Sequence, residues 1–184
     1  MGDSHALLAA DLRTFIGQQH VFFVATAPLS PDGHINLSPK GLDSLRILGP
    51  RKVAYLDLTG SGVETIAHLR ENGRLILMFC AFSARPRIVR LHGQARAIEP
   101  ADAEWEQSSR NFPKYASARS VVVMDIERIA DSCGYGVPLY EYVGERPQLV
   151  DWADRKGAEG IACYKAEKNR QSIDGLPGLR HYRL

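Results

Sequence analysis

At 184 residues, 45% of them hydrophobic and 24% charged, the chain has the make-up of one globular domain with room for a sizeable core. A net charge of +2 leaves no basic footprint for nucleic acid, and no apolar run approaches membrane-spanning length, so neither nucleic acid nor a membrane is an expected partner. Three widely spaced cysteines, Cys80, Cys133 and Cys163, include no C-x-x-C pair, which argues against a zinc site or a disulfide framework; with no signal-peptide pattern at the start, a cytoplasmic location is expected.

Taken in order, Asp3 to Gln19 reads as a helix, with Ser4 placed to cap it and Leu7, Leu8, Leu12, Phe15 and Ile16 as its apolar stripe. His20 to Ala27 is a short apolar run suited to a buried strand, and Pro31-Asp32-Gly33 is a turn signal. A second strand alternates Ile35 and Leu37 with Asn36 and Ser38 and ends at Pro39-Lys40-Gly41. Lys52 to Leu58 alternates Ala54, Leu56 and Leu58 with Tyr55 and Asp57, the pattern of a half-buried strand. Thr59-Gly60-Ser61-Gly62 then turns the chain into a short helix through Ile66 and Leu69 that stops at Gly73. Ser61 stands three residues before Glu64, the spacing of a capping box.

Further strands are expected at Arg74 to Phe82, Pro86 to Glu99 and Ser120 to Ile129, with a helix over Ala101 to Phe112 that holds Trp105. Beyond Ala130 the texture changes. Cys133 to Tyr142 is an aromatic, glycine-containing loop, and Gln148 to Asn169 looks helical although Gly157 and Gly160 weaken it. The last dozen residues read as an extended tail. About six strands, mostly hairpin-connected with helices between them, make a mainly antiparallel α+β barrel more fitting than alternating βα units. The division is residues 1–130 as the barrel and residues 131–184 as an extension packed on the barrel or on a partner.

The strand–turn–helix junction at Asp57 to Gly73 is the stretch with chemistry in it. Unpaired N–H groups at a helix start can receive an anion, although Gly and Ser at such a junction also serve merely to turn the chain and cap the helix. Gly60-x-Gly62 has no third glycine three residues on, so it is no dinucleotide fingerprint, and no P-loop sequence occurs.

Three stretches in shared order carry a resemblance to a known family. His34-Ile-Asn-Leu-Ser-Pro-Lys40-Gly is a strand ending in a basic residue; Leu58-Thr-Gly-Ser-Gly-Val-Glu-Thr65 leads into Leu69-Arg-Glu-Asn72; and Pro86-Arg87-Ile-Val-Arg90-Leu-His-Gly93 has the form R-x-V-R-x-x-G. Over residues 7–129 the chain resembles the pyridoxamine 5′-phosphate oxidase-like, oxidase-related proteins. The resemblance implies a split β-barrel that binds flavin mononucleotide (FMN) at a homodimer interface, here with a helical C-terminal extension. By position, Asn36, Leu37, Ser38 and Pro39 would line the flavin ring. Lys40, Thr59, Ser61, Gly62 and Thr65 would surround the ribityl phosphate, and Arg87 would approach from the partner chain.

Where the family's oxidases place an S-R-K triplet, this chain has Val63-Glu64-Thr65, with two cations fewer and a carboxylate in the first helical turn. The oxidases' substrate-binding R-L-H-D-R pattern does not occur either, so vitamin B6 oxidation is not expected. The resemblance implies an FMN-dependent oxidoreductase acting on a small-molecule substrate. A deazaflavin enzyme in the same slot and a non-catalytic binder of flavin or another planar ligand are the alternatives. No residue qualifies as an obligatory nucleophile, which decides nothing where a cofactor carries the electrons. Without the resemblance, Lys40 reads as a solvated turn lysine. Arg87 and Arg90 read equally as an exposed face or as dimer contacts. His68 is expected to be exposed, His92 to be packed or at the surface, and Tyr135, Tyr140, Tyr142 and Trp152 to pack the extension down, or Tyr135 and Tyr140 to rim a ligand pocket.

Overall fold

The computed structural model of the chain describes residues 3–83 and 85–181. Twelve elements follow one another among them: β1 (Asp3–His5), α1 (Ala10–Gly17), β2 (Phe22–Thr26), β3 (Asn36–Lys40), β4 (Leu45–Gly49), β5 (Lys52–Leu58), α2 (Glu64–Asn72), β6 (Arg74–Cys80), β7 (Ile88–Ile98), α3 (Trp105–Ser109), β8 (Ala118–Ser132) and α4 (Gln148–Lys168). The strands form one antiparallel sheet in the order β3-β2-β6-β7-β8-β5-β4. The end strands β3 and β4 do not pair with each other, so the sheet curls without closing, as a split barrel. Long β8 organises it: β7 runs along one edge, while β5 and then β1 share the other.

Alternation explains the core. Phe22 and Val24 of β2, Leu75, Leu77 and Phe79 of β6, Val89 and Leu91 of β7 and Met124 of β8 point inward, where Leu12, Phe15 and Ile16 of α1 cover them. Burying each such side chain is worth roughly 1.5–3 kcal/mol, enough to fix the register, since a slip by one residue would expose the whole set.

Several elements differ from the reading of the sequence. The first helix begins at Ala10 rather than Asp3, and its N-cap, Ala9, makes no side-chain bond. Residues 3–5 instead pair as β1 with residues 129–131, on the stretch of the β8 edge that lies beyond the end of β5. Ser4 is therefore a strand residue and caps nothing. Strand β4 was not legible at all. β5 is buried on both faces, not one: Ala54 and Leu56 pack with Phe112 and Val121 on the outside, and Tyr55 faces the main core. α3 is shorter than expected, β8 longer. α4 has the expected limits but is interrupted at Gly157, whose φ of 66° is a left-handed conformation that glycine adopts without strain.

After β8 a strap, residues 133–147, is held to the barrel at a few points. Tyr140 N–H donates to the Phe82 carbonyl, and the Tyr142 ring stacks on His20 at 3.5 Å between centroids. Tyr135, Leu139, Tyr140 and Val143 nevertheless stay exposed. The final segment returns to α2, where Leu179 packs on Val63 and Ile66, and buried Glu99 accepts hydrogen bonds from Arg70 and from the Arg180 and His181 N–H groups. Residues 182–184, which end the extended tail read in the sequence, lie outside the described residues. Among those described, no helix is long and apolar enough to cross a membrane.

Candidate functional site

The turn from β5 into α2 is fastened from inside. Thr59 donates both its N–H, at 2.7 Å, and its hydroxyl, at 2.8 Å, to the Ser117 carbonyl. Arg119 of β8 donates to the Gly62 carbonyl at 2.8 Å, and Asn169, just past α4, donates to the Gly60 carbonyl at 2.9 Å. Asn169 also accepts from Arg119, at 3.1 Å. Ser61 and Gly62 are left exposed at the tip. The anticipated Ser61–Glu64 capping box does not form, because Val63 is the N-cap and makes no side-chain bond. The C-terminal segment packs over this first turn and takes the Glu64 carboxylate, which accepts the Ile173 N–H at 3.3 Å. One residue further, Asp174 accepts from the His34 N–H at 2.8 Å and is bonded to the His34 ring at 2.6 Å, so the same segment also grips the approach to β3.

Strand alternation divides the residues of β3 between two faces. Asn36, Ser38 and Lys40 turn toward α2 and β5, and Leu37 and Pro39 turn out. The Asn36 amide donates to the hydroxyls of Thr65, at 3.0 Å, and Thr26, at 3.2 Å, while its carbonyl oxygen accepts from Ser38 at 2.9 Å. Thr26 is bonded in turn to His68 Nδ1 at 2.9 Å. His68, expected to be exposed, is fully buried, and its Nε2 has no partner among the described residues. Burial lowers its pKa against the opposing pull of Asp174, Glu64 and Glu71, which favours the neutral ring. The network locks the Asn36 amide in one orientation.

Lys40 is not a solvated lysine. Its Nζ donates to Asp57 Oδ1 at 2.9 Å, while Arg119 Nε donates to Asp57 Oδ2 at 2.6 Å. Asp57 is completely buried and the Arg119 side chain is 5% exposed, whereas that of Lys40 keeps 20%. Burial by itself would raise the Asp57 pKa, but Arg119 and Lys40 outweigh it and hold the carboxyl at about 2. This aspartate joins Lys40 to Arg119, and Arg119 in turn holds the Gly62 carbonyl of the turn.

Arg87 lies elsewhere. It is paired with Asp131 and Asp11 and sits over the Phe15 ring, bordering an open groove of about 1400 Å³ that also includes Cys133 and Tyr135. Of the residues expected at the site, Asn36, Ser38 and Thr65 thus meet in one network, with Lys40 on the same face of β3. Thr59 is engaged by Ser117, and Ser61 and Gly62 form the exposed tip. Leu37 and Pro39 stand on the opposite face of β3, and Arg87 belongs to another wall of the barrel. Asp57, Arg119, Thr26, His68 and Asn169 were missed. A signal existed for two of them: an acid inside the apolar β5 and an arginine leading into the valines of β8 each need a buried partner.

The outer face of the sheet is the other notable surface. The register sets Leu37, Ala25, Ile76, His92 and Arg128 in one row, and Pro39, Phe23, Met78, Arg90 and Ala130 in the next. One half of this face is apolar and the other basic. Leu37 is 63% exposed and Ile35 78%. β3 is also an edge strand, so one side of its backbone is unpaired.

Residues 8–133 match the family model described as pyridoxamine 5′-phosphate oxidase. The chain is 41% identical to the pyridoxamine 5′-phosphate oxidase family protein ustO of Aspergillus flavus, in an alignment covering 94% of this chain and 76% of that protein. Among solved structures, HupZ of Group A Streptococcus aligns with a TM-score of 0.54 at 22% identity, over 68% of this chain and 99% of that one. A protein of Clostridium acetobutylicum related to general stress protein 26, of the pyridoxinephosphate oxidase family, aligns with a TM-score of 0.53 at 12% identity, over 67% of this chain and 86% of that one. At these identities the two structures bear on the fold alone.

Proposed function

Because the chain belongs to the pyridoxamine 5′-phosphate oxidase family, we propose that it is a homodimeric, flavin-dependent oxidoreductase for a small-molecule substrate. The observation that carries this reading is the edge of β3. There an unpaired backbone edge lies between the exposed apolar side chains of Leu37 and Pro39 and the polar set of Asn36 and Ser38. A flat ring with one polar margin needs an apolar slot with a few fixed hydrogen-bonding groups, and this edge offers both. A flavin carries the electrons itself, so the chain's task is to hold and orient the ring and exclude water from it. The internal bonds of Asn36 suit that task, since the side chain cannot turn away when a ligand arrives.

The second copy of the chain is the proposed occupant of the outer face. Apolar surface of the kind presented by Ile35, Leu37, Phe23, Ile76 and Met78 marks interfaces more often than open solvent, and the commonest soluble assembly is a two-fold dimer. Two copies would shelter the β3 edge and complete a slot that one leaves open. Leu37→Asp should convert a dimer into a monomer while leaving the fold intact, as read by sedimentation and circular dichroism. A wild-type monomer at micromolar concentration, or a variant dimer of undiminished stability, would remove this part of the proposal. The cofactor reading is tested by flavin absorbance of the purified chain and by riboflavin or FMN quenching on titration. Reduction of a bound flavin by a nicotinamide donor separates an oxidoreductase from a holder of flavin.

A further inference from the structure

Resting on the flavin reading, we infer that the ligand of this site ends in an uncharged polyol, as riboflavin does, rather than in a dianionic phosphate. A phosphate at the start of α2 needs donors that are accessible and not already matched by a carboxylate. Among the described residues around this turn, the cations Arg119, Lys40 and Lys165 are each buried or already engaged. Arg119 is sealed inside, bonded to Asp57, the turn carbonyls and Asn169. Lys40, the partly accessible cation of the site, has its ammonium on Asp57. Lys165 is half-buried and donates to the Ala118 carbonyl at 3.2 Å. The first turn of α2 carries instead the half-buried Glu64, bonded to the Ile173 N–H, with Asp174 one residue further on in its bond to His34.

The same groups suit hydroxyls. One oxygen of Glu64 accepts the Ile173 N–H. A carboxylate has acceptor capacity for several donors, and ribityl hydroxyls are donors where a phosphate dianion has none to give. The exposed Ser61 hydroxyl adds a group that can donate or accept. Like-charge repulsion at Glu64 and hydrogen bonding to Glu64 therefore act in the same direction, against FMN and toward the dephosphorylated flavin.

The experiment titrates the full-length apo-protein with riboflavin and with FMN, following quenching of flavin fluorescence. Riboflavin is expected to bind at least ten-fold more tightly than FMN. Glu64→Gln, which keeps an acceptor for Ile173 but removes the charge, should narrow that ratio, and Glu64→Lys should reverse it. Thermal unfolding of both variants checks that the helix start survives. Tighter binding of FMN than of riboflavin by the wild type overturns the inference while leaving the flavin reading in place. Failure of both ligands to bind overturns the flavin reading, and this inference with it.

Discussion

Arg119→Met is expected to destabilise the chain by about 3–5 kcal/mol, the range seen when one partner of a buried ion pair is removed. The substitution preserves much of the volume but leaves Asp57, which is fully buried, with Lys40 alone. It also withdraws the donors that hold the Gly62 carbonyl and Asn169. Urea unfolding read by circular dichroism measures the loss. Lys40→Met should cost distinctly less, since Asp57 keeps its bond to Arg119 and the lysine holds no part of the turn. Equal losses for the two variants would mean that the aspartate, not the arginine, organises the junction. The acid side of the stability profile follows from the same group. Asp57 titrates at about 2 in the folded chain against an ordinary 3.8. A depressed folded-state value means that the contribution, on the order of 2 kcal/mol, is fully present above 3.8, fades as pH falls toward 2 and is gone below it. In Arg119→Met, burial gains ground and the carboxyl moves up, so acid unfolding should begin at higher pH.

Glu99→Ala should release the C-terminal segment, with a cost also of about 3–5 kcal/mol if release and global unfolding are coupled. Glu99 is completely buried and accepts from Arg70, from the Arg180 N–H at 2.9 Å and from the His181 N–H at 3.0 Å. Alanine leaves the Arg70 guanidinium and two backbone donors without that acceptor. Arg180 keeps its bonds to Asp102, at 2.6 and 2.7 Å, so the segment is weakened at its fixing point without losing every anchor. Amide exchange at residues 172–180 and cleavage by a non-specific protease should both rise many-fold. Because Leu179 caps Val63 and Ile66, and Ile173 holds Glu64, the start of α2 should loosen in the same variant. Unchanged exchange in residues 172–180 would show that Leu179 packing holds the segment without Glu99.

Local pattern made much of this fold legible. β2, β5, β6 and β7 announce themselves by apolar or alternating runs, and Gly73, at a φ of 70°, ends α2 where the sequence places the stop. What stayed hidden depends on partners far along the chain. Residues 3–5 have no strand pattern of their own and become β1 only because the β8 edge stands open beside them. His68 occupies what a helical wheel makes the polar side of α2, yet α2 packs on β2 and Thr26 of that strand bonds to the ring. The Ser61–Glu64 spacing was correct as local chemistry and lost to tertiary packing, as Ile173 arrived from more than a hundred residues away. The site was legible to a similar degree. Motif position located β3 and the α2 turn, but Asp57, the residue that governs their charge, lay within a strand read only for its periodicity.

The place of β8 in the sheet also bears on how the chain is made. β5 can pair with β4 once residue 58 is made, but its other neighbour begins at residue 118, and β1 waits for residues 129–131. Until then Ala54 and Leu56 have no cover and the β5 edge facing β8 has no partner, a condition that exposes strands to association with other chains. β2, β6 and β7, by contrast, can pair with one another as soon as residue 98 has emerged. Nascent chains stopped before β8 should accordingly contain one formed half-sheet and a separate β4–β5 hairpin with an open edge, and the hazard of aggregation during translation falls on the segment between residues 45 and 58.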